Sequence, residues 1–266
     1  MIAWLRQKLC KDFSNEKSLL VQQIEERDKL LKHQQEQIDK FNNDEEKRNF
    51  LEDYWNNKYP MAKITYKCRP LPSSKTKISV PVNVFLTPFD PFIIADLKEW
   101  GLYQTKEDYE TLVPEIYRNI FKKYYKYVLD EPQFGIDEVW LFPFELRETK
   151  KGDCEDWANL QMSYYLAAGV PDWMVRGVAG ECDLGSHATV YVYSPNRAKF
   201  VHLNSTYSSV YDTLAEFPTH KDAEEGRDKL GIKSVWFSYT AKSGFYSFNQ
   251  EQTEANIKGF LIKKEG

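Results

Sequence analysis

Three residues far apart in the chain have the types needed for acyl transfer: Cys154, His187 and Asn204. Cys154 stands in Gly152-Asp153-Cys154-Glu155-Asp156-Trp157, just ahead of a helical pattern. Asp153 suits the N-cap and Asp156 the third helical position, a capping box with a carboxylate at each end. Gly169 fits the position just past the helix end, with Pro171 beyond it. The pattern therefore predicts a helix over 154–168 with Cys154 at its first position. There the helix dipole favours thiolate over thiol, and the thiolate is the nucleophilic form. On that helix Trp157, Ala158, Gln161, Tyr164, Tyr165 and Ala168 fall on the same face as Cys154.

The base comes from a hairpin. His187 opens an alternating strand that ends at Tyr193, and Lys199 to Asn204 reads as a second strand after the turn signal Ser194-Pro195-Asn196-Arg197. A turn centred between Pro195 and Asn196 pairs residues whose numbers sum to 391, so His187 faces Asn204. Directly paired side chains stand about 5 Å apart on one face. The spacing thus puts an amide beside the imidazole and turns Ala188, Val190, Val192, Val201 and Leu203 to a buried face. In a Cys-His-Asn arrangement the thiolate attacks a carbonyl, His187 takes and returns the proton, and Asn204 sets the ring's tautomer. The alternative is that the three residues serve separate structural roles. In the same register His202 faces Thr189, as an ordinary strand residue or as a second imidazole that interferes or substitutes.

Trp140-x-x-Pro143-x-Glu145, Gly152-Asp153-Cys154-Glu155-Asp156, Gly169-Val170-Pro171 and His187-Ala188 together resemble the bacterial transglutaminase-like cysteine proteinases. The resemblance covers about residues 130–210. It implies an α+β, papain-like core in which a nucleophile helix packs on an antiparallel sheet carrying the histidine. It also implies Cys154 as nucleophile, His187 as base, and Trp140 lining the cleft near the oxyanion, with the Cys154 backbone N–H as one donor. One departure stands out. The family usually closes its triad with Asp, and here Asn204 holds that place, which orients an imidazole but stabilises its cation less.

The carboxylates beside Cys154 oppose its ionisation. Either they are absorbed as helix caps or a cation neutralises them. Some relatives bind calcium beside the nucleophile, so by resemblance Asp153 and Glu155 are candidate calcium ligands. The chemistry itself requires no cofactor.

The elements that hold these residues occupy a chain of 266 residues with 36 Lys+Arg against 40 Asp+Glu. That balance argues against a nucleic-acid partner bound through a broad basic surface. No apolar run approaches a membrane span, and charges at Arg6, Lys8 and Lys11 interrupt any signal peptide. The expectation is a cytoplasmic or virion-associated, phage-like protein. Cys10, Cys68 and Cys182 are neither paired in a CxxC nor placed for chemistry, and read as reduced thiols.

Three domains are expected. Residues 1–58 lack Gly and Pro from position 3 onward, and Leu20, Ile24, Leu31, Ile38 and Phe41 form a narrow stripe. They read as a long helix, lying on its own domain or making a coiled coil that oligomerises or docks on an assembly partner. Residues 59–104 are a proline-marked linker and an extended arm, with Pro81 limiting the alternation over 78–86 to an edge. Residues 105–266 are the peptidase domain. It opens with a helix to about Val128, with Thr105 and Asp108 as a capping box and Pro114 as a second start, and closes with an aromatic hairpin around Ala241 to Gly244. The 7 Trp, 17 Tyr and 16 Phe of the whole chain predict a core or groove built from large rings, with Trp140 nearest the thiol.

Two functions follow. One is a cysteine hydrolase, a peptidase or amidase working through a thioester on a protein or peptide substrate, with transglutaminase-type transfer to an amine as a variant. The other is an inactive scaffold of the same fold in a larger assembly, docked through its N-terminal helix.

Overall fold

Residues 65–68 and 78–245 of the computed structural model are described, apart from 106–107, 125, 136–137, 205, 207–210 and 243, together with 251, 254 and 255. All of them lie in the unit Asp53–Gly266. The expected helix over 1–58, its coiled coil and its docking role lie outside the described residues. None of the described helices is long and apolar enough to cross a membrane.

Two antiparallel strands, β1 (Thr65–Cys68) and β2 (Ile78–Pro81), come first. The expected extended arm is thus half of a ladder, with β1 inside the stretch read as linker. Pro81 ends β2, and a 3-10 turn over Val82–Phe85 replaces the rest of the expected strand. The helices follow as α1 (Pro91–Glu99), α2 (Tyr109–Tyr124), α3 (Asp130–Phe134), α4 (Pro143–Thr149) and α5 (Cys154–Ala167). Asp108 caps α2 by accepting from the Thr111 N–H at 3.2 Å. The start expected at Thr105 therefore moves three residues on, and Pro114 lies inside an uninterrupted helix.

The main sheet holds β3 (Val175–Cys182), β4 (Gly185–Ser194), β5 (Lys199–Leu203), β6 (Ser234–Tyr239) and β7 (Gly244–Phe245), all antiparallel, in the order β5-β4-β3-β6-β7. The expected aromatic hairpin is β6 with β7, closing one edge. Mixed helices and antiparallel sheet make an α+β fold, with α5, which Cys154 opens, packed on the sheet as expected.

Helix α5 is buried on every side, not on one stripe: Asn159, Met162 and Ser163 are as covered as Trp157, Tyr164 and Tyr165. One side meets the sheet, where the Tyr239 hydroxyl donates to Asn159 Oδ1 at 2.7 Å. Position 177 must be glycine because a Cβ there would stand 2.4 Å from the Tyr239 ring. The other side meets α1, where Asp96 accepts from the Tyr164 hydroxyl at 2.5 Å and from Lys123 of α2 at 2.7 Å. Fully burying a ring the size of Phe stabilises by about 1.5–3 kcal/mol. The aromatic excess thus goes first into wedging α5 between sheet and helices.

The β4–β5 hairpin departs from the expected register. Val190 pairs with Leu203 and Ser194 with Lys199, so pairs sum to 393. Four residues, Pro195 to Ala198, make the turn, closed by the Ala198 N–H on the Pro195 carbonyl at 3.2 Å, with Ala198 at φ 50°. Glu110 of α2 fixes it by accepting from the Ser194 hydroxyl and the Asn196 N–H. A shift of two keeps every side chain on its expected face. It makes His202 the direct partner of Tyr191 rather than of Thr189, and it takes Asn204 out of the position directly opposite His187, since the ladder ends at Val190 and Leu203.

The second face, with His187, Thr189, Tyr191, Tyr193, Phe200 and His202, is also buried. The chain after β5 covers it, through the short helix α6 (His220–Glu224) and the loop to Ile232, whose N–H donates to the Tyr191 hydroxyl at 3.0 Å.

Candidate active site

Gly152 opens the site. A Cβ on it would lie 2.5 Å from Leu146 and 2.7 Å from Asp156 Oδ2, so the chain can enter α5 at this angle only through glycine. The Gly152 carbonyl accepts from the Trp157 indole at 3.0 Å and from the Val128 N–H at 2.9 Å. Asp156, fully buried, accepts from the Asp153 N–H at 3.4 Å as the expected capping box requires. Its other oxygen takes the Leu141 N–H at 2.7 Å. One carboxylate therefore caps the helix and straps the segment of Trp140 and Leu141 to the start of α5.

Cys154 occupies the first helical position. The Ala188 N–H donates to its sulfur at 3.4 Å, which sets the thiol beside the backbone of the residue after His187. The thiol itself donates to Glu155 Oε2 at 3.3 Å. Burial pushes the Cys154 thiol up to about 12, with the neighbouring Asp153 charge adding to it. The sequence expectation of a thiolate favoured by the helix N-terminus is reversed here, because desolvation and a carboxylate next door outweigh half a unit of dipole charge.

His187 is buried, and the Asn204 side chain hydrogen-bonds its ring. Its Nε2 has no hydrogen-bond partner, which leaves Nδ1 for Asn204. Burial pulls His187 down to about 3, the His202 ring adds to this, and Asn204 and Asp228 act in the opposite sense. At rest the site therefore holds a thiol and a neutral imidazole. Asn204 is anchored at both ends: its carbonyl accepts from the Tyr117 hydroxyl at 2.6 Å, and Oδ1 accepts from the Thr206 N–H at 2.7 Å.

Trp140 is 1% exposed and packs against Phe85, Phe237 and Tyr239 at centroid distances of 5.3, 6.4 and 5.9 Å. Its indole N–H goes to Glu138 Oε1 at 3.0 Å.

The acidic residues gather. One oxygen each from Asp130, Asp153 and Asp156 lies within 4.8 Å of the others. Asp153 and Glu155 share a hydrogen bond. Asp153 Oδ1 and Glu155 Oε1 are buried with no hydrogen-bond partner. Burial raises Asp153 to about 6 and holds Glu155 and Asp156 well above the usual carboxylate range, with the mutual repulsion of the cluster adding to it. Oxygen donors, with Asp153 Oδ1 and Glu155 Oε1 left orphaned, suit a hard divalent cation such as calcium.

The chain is similar in fold to Legionella pneumophila LapG. Identity is 17%, the TM-score is 0.43, and the match covers 70% of this chain and 96% of that one. The calcium-bound form of LapG matches at 18% identity and TM-score 0.44 over 62% of this chain and 90% of LapG. The EGTA-treated form matches at 18% and 0.43 over 66% and 94%. Comparison with protein-family models and with curated proteins gives no match.

Of the residues singled out in the sequence, the fold joins His187 to Asn204, Asp153 to Glu155, and the Cys154 sulfur to the backbone at Ala188. It does not join the thiol to the imidazole by a hydrogen bond at rest. Sequence reasoning missed Asp130, which lies on α3 with no spacing relation to Cys154. It also missed Asp228, which lies in a polar loop where a carboxylate is ordinary. Thr189 did carry a signal, as the one small polar residue between Ala188 and Val190 on a buried strand.

Proposed function

We propose that the chain is a cysteine hydrolase that cleaves peptide or amide bonds through a thioester on Cys154. The observation that carries this reading is the pairing of an Asn204-held imidazole, whose Nε2 is buried and uncommitted, with a thiol fixed by the very next backbone N–H. An orphaned buried ring nitrogen costs stability, and a catalytic role accounts for its being kept.

His187 Nε2 takes the Cys154 proton, and the sulfur attacks the carbonyl carbon. The C–S bond forms, the carbonyl oxygen becomes an oxyanion, and the Cys154 backbone N–H is one donor to it. The imidazolium then gives its proton to the departing nitrogen as the C–N bond breaks. Water enters, His187 takes its proton, and the thioester is hydrolysed to the acid and the thiol. An amine in place of water gives transglutaminase-type transfer by the same half-reaction. Asn204 keeps the ring in the Nδ1–H tautomer throughout. Trp140 walls the cleft beside the strap held by Asp156.

Asp153 and Glu155, with Asp130 and Asp156, are the calcium ligands in this reading. The support is the orphaned oxygens of Asp153 and Glu155 and the approach of Asp130, Asp153 and Asp156 to within 4.8 Å of one another. A bound calcium would supply the positive charge that offsets the carboxylates next to the nucleophile. The hydrogen bond from the thiol to Glu155 favours a second reading, an inactive scaffold of the same fold.

Denatured casein, incubated with the protein in calcium and in chelator, separates the two readings. Cleavage that needs Cys154 and stops in chelator supports the hydrolase. Intact casein under both conditions, with Cys154 alkylated by iodoacetamide no faster than Cys182, supports the scaffold.

A further inference from the structure

The face of the sheet that carries His187 holds a second hydrogen-bonded chain. His202 Nδ1 lies 2.5 Å from Asp228 Oδ2, and His202 Nε2 lies 2.8 Å from Thr189 Oγ1. Thr189 Oγ1 in turn lies 3.2 Å from the Leu203 carbonyl. His202 is 1% exposed and Thr189 fully buried.

The protons can be counted. A carboxylate accepts, so Nδ1 carries a proton. A threonine hydroxyl has one proton to give. If Nε2 is bare, the hydroxyl must donate to it, and the Leu203 carbonyl receives nothing from Thr189. If Nε2 carries a proton, Thr189 accepts that and donates its own to Leu203. With Asp228 ionised, all three contacts are satisfied together only when His202 is an imidazolium. Burial alone would raise Asp228, but the hydrogen bond and charge of His202 outweigh it and hold the carboxyl below its usual range.

Among the described residues the titratable neighbours are few. From β4, Tyr191 stacks on His202 at 5.2 Å with its hydroxyl accepting from Ile232, and His187 meets it edge-on at 6.4 Å. On α6, which packs on β5, Asp222 is committed to Thr219 and Arg227, and Glu224 to His220. Asp228 is the carboxylate that answers the ring.

The peptide carbonyl at the end of this chain is the one joined to the nitrogen of Asn204. We propose that Asp228, His202 and Thr189 are positioning residues that pin the end of β5, so that Asn204 meets His187 in one geometry. The charged pair sets the direction of the Thr189 hydroxyl, the hydroxyl holds the Leu203 carbonyl, and the next side chain orients the base. A neutral Asn204 needs this support more than an aspartate would, because no ion pair draws it to the imidazole. The effect on turnover rests on the hydrolase reading above; the hydrogen bonds do not.

The test is nitrogen-15 NMR of the full chain with labelled histidine, His202 being assigned with His202→Gln. At pH 7 both His202 ring nitrogens carry protons, while His187 carries one, on Nδ1. Thr189→Val, which keeps the branched shape and deletes the hydroxyl, shifts the His187 ring signals towards a mixture of tautomers. It also lowers kcat on p-nitrophenyl acetate by about 10–100-fold, as small misplacements of a catalytic group do, with KM unchanged. Thr189→Ser restores both. A single proton on His202 at pH 7 overturns the proposal, and that measurement needs no variant. So does a Thr189→Val protein whose His187 signals match the parent's. Absence of turnover in the parent protein removes the hydrolase reading instead, and the two NMR results still decide this one.

Discussion

Cys154 and Glu155 are neighbours in the chain and also hydrogen-bond partners, the thiol donating to the carboxyl at 3.3 Å. A thiol whose proton is held by an acidic neighbour, with Asp153 on its other side, is a thiol at rest. Charge must leave this corner before the sulfur ionises.

Alkylation kinetics read that charge. In chelator Cys154 is expected to react with iodoacetamide as slowly as Cys182. In calcium its rate rises, by about 10-fold for each unit by which the thiol's pKa falls. Asp153→Asn removes a charge that raises the thiol, so it speeds alkylation in chelator and blunts the calcium response. Equal Cys154 rates in calcium and chelator would remove the metal from the account.

Asn204→Asp puts a carboxylate where the side chain holds the His187 ring. An anion beside an imidazole favours its protonated form. The acidic limb of the pH profile for p-nitrophenyl acetate therefore moves to higher pH, and the rate above that limb rises. Asn204→Ala lowers the rate over the whole range. A profile unchanged in both variants means Asn204 does not orient the base.

Acid stability carries the signature of His187. Its folded value of about 3 lies below the ordinary 6.5, so the unfolded chain binds a proton that the folded chain refuses. Stability from this group is complete above pH 6.5 and is lost as pH falls towards 3. Asp153, raised to about 6, works in the opposite sense between pH 6 and its ordinary 3.8. The difference between parent and His187→Asn isolates the histidine. Urea midpoints from pH 7 down to pH 4 are expected to fall more steeply in the parent. Parallel curves would mean His187 titrates normally.

Much of this is legible in the sequence alone. Capping residues, Gly169 and the apolar spacing located α5 to within a residue, because local hydrogen bonds decide helix ends. The face of every hairpin side chain was legible too, since alternation survives a register shift of two. The register itself was not, because Glu110, distant in sequence, selects the four-residue turn. Nor was the Cys154 environment legible. A helix N-terminus is a local feature, whereas desolvation depends on how completely the sheet and the acidic cluster close over the sulfur. Asp130 and Asp228 reach the site only through tertiary contacts.

The bulge between Ala179 and Gly180 has its own test. A Cβ at Gly180 would sit 2.0 Å from the Ser234 carbonyl, which is backbone and cannot swing away. Gly180→Ala must push β6 off β3, with a cost of about 1–3 kcal/mol for overpacking. Urea unfolding measures it, and an unchanged midpoint would mean the two strands are further apart than described.

The central claim is that Cys154 forms a thioester with help from His187. Brief exposure of the calcium-loaded protein to p-nitrophenyl acetate, followed by acid quenching and peptide mass spectrometry, tests it directly. The account predicts an acetyl group on Cys154 that is lost on incubation with hydroxylamine, at a level strongly reduced in His187→Ala. Acetylation of Cys154 no greater than that of Cys182, or equal in the parent and His187→Ala, would contradict it.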